Sequence, residues 1–149
     1  MNLSEYEFSL TLRKDRAFLD FINDVTKIIN GYTFSRVITA VALSAQTASI
    51  AQTVLYTPSV AGLYRVSVYH FCSTAGTAGT LDTTIFWTDD VGAVNAKPAA
   101  QISLTVAGNW ASGQGFLRSN SGSIDYSTTV AGAVGSPQYG SYLCLELIG

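Results

Sequence analysis

Residues 61–80 read AGLYRVSVYHFCSTAGTAGT, a run in which Tyr64, Val66, Val68, His70 and Cys72 alternate with Arg65, Ser67, Tyr69 and Phe71 before giving way to small residues. Period two over that length marks a β-strand with one buried face, because successive side chains leave a strand on opposite sides. The TAGTAGT tail is too short to be a solenoid unit. Its small residues suit a tight loop or the close approach of another backbone.

Working outward, the same signal recurs. From Phe34 onward, runs rich in Val, Ile, Thr, Tyr and Phe fall at Phe34–Leu43, Ser49–Thr57, Gly62–Cys72, Thr80–Thr88, Ala99–Val106, Gly113–Arg118, Ser123–Val130 and Tyr139–Ile148. Turn clusters separate them, among them Pro58-Ser59-Val60-Ala61-Gly62, Asp89-Asp90-Val91-Gly92 and Ser119-Asn120-Ser121-Gly122. No helical crossover stands between the strands, which argues against a parallel sheet and predicts a mostly β fold, an antiparallel jelly-roll sandwich of about eight strands.

The chain before Phe34 is built differently. Residues 1–36 carry ten of the eighteen Asp, Glu, Lys and Arg residues, and the remaining 113 carry eight. Tyr6, Phe8, Leu10 and Leu12 alternate with Glu5, Glu7, Ser9, Thr11 and Arg13, the period of a β arm, although Ser4 and Glu7 also have capping-box spacing. Asp15 can cap an amphipathic helix with Phe18, Phe21, Ile22, Val25, Ile28 and Ile29 on one stripe, stopped by Gly31. The predicted division is 1–33, a docking arm and helix, and 34–149, the sandwich.

Composition narrows the function. Charged residues make up only 12% of the chain, against about 25% in an average soluble domain. So little charge predicts a surface partly covered by other subunits. Net charge is −2 and the only basic cluster is Arg13-Lys14-Arg16, so a nucleic-acid footprint is missing. The start, MNLSEYEF, is acidic where a secretory leader is basic and apolar, and the longest low-polarity run, Val37–Ala45, is too short to span a bilayer. Synthesis in the cytoplasm, without membrane insertion, is the expectation.

A search for chemistry finds little. His70 is the single histidine, so a Ser/His/Asp triad has one conceivable base, and its place in the strand alternation favours packing or one hydrogen bond. Asp89 and Asp90 could contribute to a Ca²⁺ site, but no further acidic residue is close in sequence, and a turn before Gly92 accounts for them. Asp125 and Glu146 are isolated, so no glycosidase pair is named. No phosphate-loop pattern occurs. Catalytic residues, metal and cofactor are therefore all predicted as none. Cys72 and Cys144 are predicted to be free thiols on opposite faces, because Leu143, Leu145 and Leu147 form the inward set that leaves Tyr142, Cys144 and Glu146 outward. Trp87, Trp110 and Tyr126, at strand ends or in loops, are candidates for a glycan platform.

At LYTPSVAGLYRVSVYHFC (55–72) and GSPQYGSYLCLELIG (135–149) the chain resembles phage-encoded virion proteins with a tumour-necrosis-factor-like C-terminal jelly roll. The resemblance spans about Ser49 to Gly149 and rests on a small-residue turn into G-L-Y-x-V-x-V-Y, a loop rich in Thr, Ala and Gly, and a final strand reaching the end. It implies a head-fibre, decoration or tail-tip protein, usually trimeric, attached to the particle by its N-terminal part. The absence of a heptad stalk or collagen-like repeat departs from the fibre plan and favours a compact, capsid-hugging form. The resulting expectation is a non-enzymatic virion protein, assembled in the host cytoplasm. It would be a homotrimer with Tyr142 and Cys144 at the interface, docked on other virion proteins through Tyr6, Phe8, Leu10 and Leu12. The alternative is a receptor-binding tail tip that recognises a host glycan through Trp87, Trp110 and Tyr126.

Overall fold

The computed structural model describes residues 36–148. The expected arm over Tyr6–Leu12, the helix after Asp15 and the boundary at Phe34 lie outside the described residues.

Among the described residues nine strands form: β1 (Arg36–Gln46), β2 (Ile50–Tyr56), β3 (Gly62–Thr74), β4 (Ala78–Asp89), β5 (Gly92–Ala96), β6 (Ile102–Ser103), β7 (Trp110–Ser119), β8 (Ile124–Val134) and β9 (Gln138–Leu147). They make two antiparallel sheets. The front sheet has the order β1-β9-β3-β7 and the back sheet β2-β8-β4-β5, with the two-residue β6 also paired to β4. Successive strands switch repeatedly between sheets, and leaving β6 aside, the eight remaining strands in this order are a jelly roll. The predicted fold class is the observed one.

Each sheet buries one side chain in two. On β3 the inward set is Tyr64, Val66, Val68, His70 and Cys72, and on β9 it includes Tyr139, Leu143 and Leu145, all nearly or wholly buried. From the back sheet Leu81, Ile85, Ile124 and Tyr126 meet them. The core is divided: one cluster gathers around Val66, Val68, Ile85 and Leu145, and a second, at the other end, around Cys72, Leu81, Leu104 and Tyr139.

Two local expectations are corrected. Gly92–Ala96 forms an edge strand on Ile85–Asp89; its sequence GAVNA carries too few large residues to signal one. Conversely, the strand expected over Ala99–Val106 shrinks to Ile102–Ser103. Pro98 cannot donate to a ladder, and the 97–101 connection is held by side chains. Asp82, 8% exposed, accepts from Lys97 Nζ at 2.9 Å and Gln101 Nε2 at 2.8 Å, and Ala99 enters the core.

The small residues of TAGTAGT are explained by close approach. Thr77 N–H donates to the Val134 carbonyl at 2.8 Å and Gly76 N–H to the Leu104 carbonyl at 2.9 Å. A Cβ on Gly76 would stand 2.4 Å from the Val134 oxygen, so only glycine lets the β8–β9 hairpin seat there.

Candidate functional site

The outward face of the front sheet is set by register. Across the four strands, Val37, Glu146, Arg65 and Phe116 form one row; Ala40, Cys144, Ser67 and Gln114 the next; Ala42, Tyr142, Tyr69 and Ser112 the third. A fourth row brings Gly140, Phe71 and Trp110 together. Glycine at position 140 is required, because a Cβ there would lie 2.5 Å from the Phe71 ring and 2.9 Å from the Leu43 carbonyl.

This face is aromatic at one end and hollow in the middle. Tyr142 stacks on Phe71 and Tyr69 at centroid separations of 6.0 and 6.1 Å, and Trp110 reaches Tyr69 at 5.9 Å. Among the described residues, the exposed large aromatic side chains are Tyr69, Trp110, Phe116 and Tyr142, and all four lie here. Beside them the small side chains of Ala40, Ala42, Ser67, Ser112 and Cys144 leave a groove of about 610 Å³. On the two central strands β3 and β9, the charged residues are Arg65 and Glu146, whose side chains meet at 2.6 Å. The Glu146 carboxylate accepts from the Arg65 guanidinium and holds its pKa above the ordinary value.

The predicted interface residues Tyr142 and Cys144 thus sit on one outward face, in adjacent rows. Cys144 is partly exposed and Cys72 is buried between the sheets, both as free thiols; burial pushes the Cys72 thiol upward.

The glycan trio does not assemble. Tyr126 is 5% exposed in the core, a correction to the exposed position expected for it. The alternation Ile124, Tyr126, Thr128 carries it inward, a signal present in the sequence but outweighed by its neighbouring turn. Trp87 follows Thr83 and Ile85 toward the core and packs partly buried against it, while also bordering a small groove on the back sheet. Trp110 alone is outward, at 59% exposure. What sequence reasoning missed is Tyr69 and Phe71, the outward partners of Tyr142 and Trp110 on the deciding strand; only cross-strand register links them.

The catalytic candidates have structural partners. His70 is fully buried. Its Nε2–H donates to the Ala100 carbonyl at 2.8 Å, since that carbonyl can only accept, and its Nδ1 accepts from the Thr83 hydroxyl at 3.0 Å. Burial holds the imidazole below its usual pKa, opposed by the Ala100 bond and the charge of Asp82. Asp89 Oδ1 accepts from the Val91 and Gly92 backbone amides at 2.8 and 3.2 Å, a turn cap, and Asp90 pairs with Arg118. Among the described residues no three His, Cys, Asp or Glu side chains gather as a metal site would need.

An antiparallel jelly-roll domain with its exposed aromatic side chains, among the described residues, gathered on one face is the class of protein defined by this geometry. No protein-family model matches the sequence, and no curated protein sequence matches it. Solved structures resemble the fold at low identity. A chain from infectious bursal disease virus, Gx strain, shares 17% identity at a TM-score of 0.45, over 78% of this chain and 33% of that one. A chain of the T13 particle of infectious bursal disease virus gives 14% and 0.48, over 74% and 31%. The CBM22-1 xylan-binding domain of Paenibacillus barcinonensis Xyn10C gives 12% and 0.44, over 77% and 81%. The matched region spans about a third of the viral chains.

Proposed function

We propose that this chain is a non-catalytic structural protein of a phage particle, a trimeric decoration or head-fibre-like subunit. Its front sheet faces the neighbouring copies, and residues 1–33 dock it on other virion proteins. The observation that carries the reading is the convergence of every exposed aromatic ring among the described residues on one face. That face spans four strands and four rows, roughly 20 Å by 20 Å at ordinary strand spacings. Within it Tyr69, Phe71, Trp110 and Tyr142 form a contiguous apolar cluster, and exposed apolar clusters of this kind mark interaction sites. The Arg65–Glu146 pair compensates its own charge, so the face can meet copies of itself without an unpaired ion being buried.

Sedimentation of the full chain at micromolar concentration should find three chains together. Tyr142→Glu places a carboxylate on the outward face without touching the core. It should keep the β fold and the melting temperature of the monomer while weakening association by about 100-fold or more, the effect of burying an unpaired charge. A wild-type chain that stays monomeric overturns the trimer. For docking, a chain starting at Thr33 should remain folded and trimeric yet fail to bind particles lacking the protein. If it binds as well as the full chain, the jelly roll itself makes the contact.

A further inference from the structure

We infer that the groove on the outer side of the back sheet binds a single neutral sugar ring, at a site separate from the front-face association surface. Four different strands build it: Gln52 comes from β2, Asp125 from β8, Phe86 and Thr88 from β4, and Asn95 from β5, with Ser123 at the entry to β8. Register places Asn95 directly opposite Phe86, and Phe86 opposite Asp125, so these three lie in one row across the sheet. Side chains on paired strands are held more rigidly than side chains on loops.

The chemistry of the lining selects the ligand. One carboxylate accepts, two carboxamides donate and accept, two hydroxyls do both, and Phe86 supplies an apolar surface. Ligand hydroxyls, which also donate and accept, complement that set, and a ring's C–H face complements the aromatic. Among the described residues no Lys, Arg or His lines the groove, which disfavours phosphate, sulfate or a uronic acid. A single carboxylate falls short of the six to eight oxygens that Ca²⁺ takes.

Asp125 is the incomplete part. Its Oδ2 accepts from Gln52 Nε2 at 2.8 Å, while its Oδ1 is shielded from solvent and has no hydrogen-bond partner among the described residues. The terminal torsion of an aspartate is soft, so a small rotation turns Oδ1 to a ligand hydroxyl while Oδ2 keeps the Gln52 amide. The groove holds about 270 Å³, below the roughly 300–1,000 Å³ of sites for drug-sized ligands. It therefore takes one ring, and affinity for a single site should be weak, with Kd about 1 mM.

The test is an amide-shift titration of the isotope-labelled full chain. Probes are the methyl glycosides of glucose, galactose, mannose, rhamnose and N-acetylglucosamine, with lysine ethyl ester as a cationic probe and sodium sulfate as an anionic one. At least one glycoside should shift the amides of Gln52, Phe86, Asn95 and Asp125 together. Asp125→Asn, which keeps the shape, should weaken that binding about tenfold or more, and Asn95→Ala, at an exposed position, should weaken it without affecting the fold. Tyr142→Glu should leave it unchanged, so failure of the trimer and failure of this site are read separately. The inference is overturned if no glycoside shifts these amides at about 50 mM, if only the amine or sulfate does, or if the shifts map to Trp110 instead.

Discussion

Replacing Gly113 by alanine should lower the unfolding free energy by about 3 kcal/mol, the upper part of the range for overpacking a filled core. Gly113 lies on β7 opposite Val68, facing into the sandwich. A Cβ there would stand 1.9 Å from the Pro98 carbonyl oxygen, 2.7 Å from its carbon and 3.1 Å from the Ala99 Cα. Those are backbone atoms, so no side-chain rotation relieves the clash and the 97–101 connection must move. Its movement withdraws Ala99 from the core and the Ala100 carbonyl from His70. Gly115 is the internal control, on the same strand and the same face. Its added Cβ would meet only the Pro98 and Val66 side chains, at 3.8 Å or more. Gly115→Ala should therefore be neutral or stabilising by up to about 1 kcal/mol, since it restricts the unfolded chain. Chemical denaturation of both variants checks the pair; equal losses would mean that the Pro98 contact is not what requires glycine.

His70 should make the domain acid-sensitive above the range where carboxylates titrate. Its folded-state pKa is depressed by burial, so below the unfolded value of about 6.5 the unfolded chain binds more protons than the native one. Stability contributed by the neutral ring is complete above that value. It falls as pH drops through 6.5, and keeps falling until the folded-state pKa is passed. The facing charge is Asp82, held by Lys97 and Gln101, and it moderates the effect without reversing its sign. His70→Ala removes the titration but leaves the Thr83 hydroxyl and the Ala100 carbonyl without their partner, each worth about 1–3 kcal/mol, and opens a cavity. The variant should lose about 4 kcal/mol at pH 7.5 and show a flat profile down to about pH 5.5, where the wild type slopes. A parallel slope in both would assign the acid sensitivity to other groups. Because Gly113 and His70 both act on the same connection, the double variant should lose less than the sum of the single losses.

Residues 61–80 were decisive because strand alternation is written locally. The inward set from Tyr64 to Cys72, the outward placement of Tyr142 and Cys144, and the turns at 58–62, 89–92 and 119–122 all follow from side chains leaving a strand on alternate sides and from turn residues fixing its ends. Antiparallel pairing followed too, since nothing between the strands could serve as a crossover. The same local rule turns Trp87 and Tyr126 inward, since each continues the alternation of Ile85 and Ile124 despite lying near a turn.

Other features depend on which strands become neighbours. Trp110 and Phe71 share a row only because β3 pairs with β7, and Tyr142 joins them only because β9 lies on the other side of β3. Gln52, Asp125, Phe86 and Asn95 form one groove only through the order β2-β8-β4-β5. The 97–101 connection is fixed by Asp82, His70 and Gly113, residues from strands on both sides of it. The sequence by itself determined the strands, their turns and the buried side of the clearest of them, because each is settled by interactions within a few residues. The aromatic face, the polar groove and the strapped connection were decided by tertiary structure, because register is set by hydrogen bonds and packing between segments far apart in the chain.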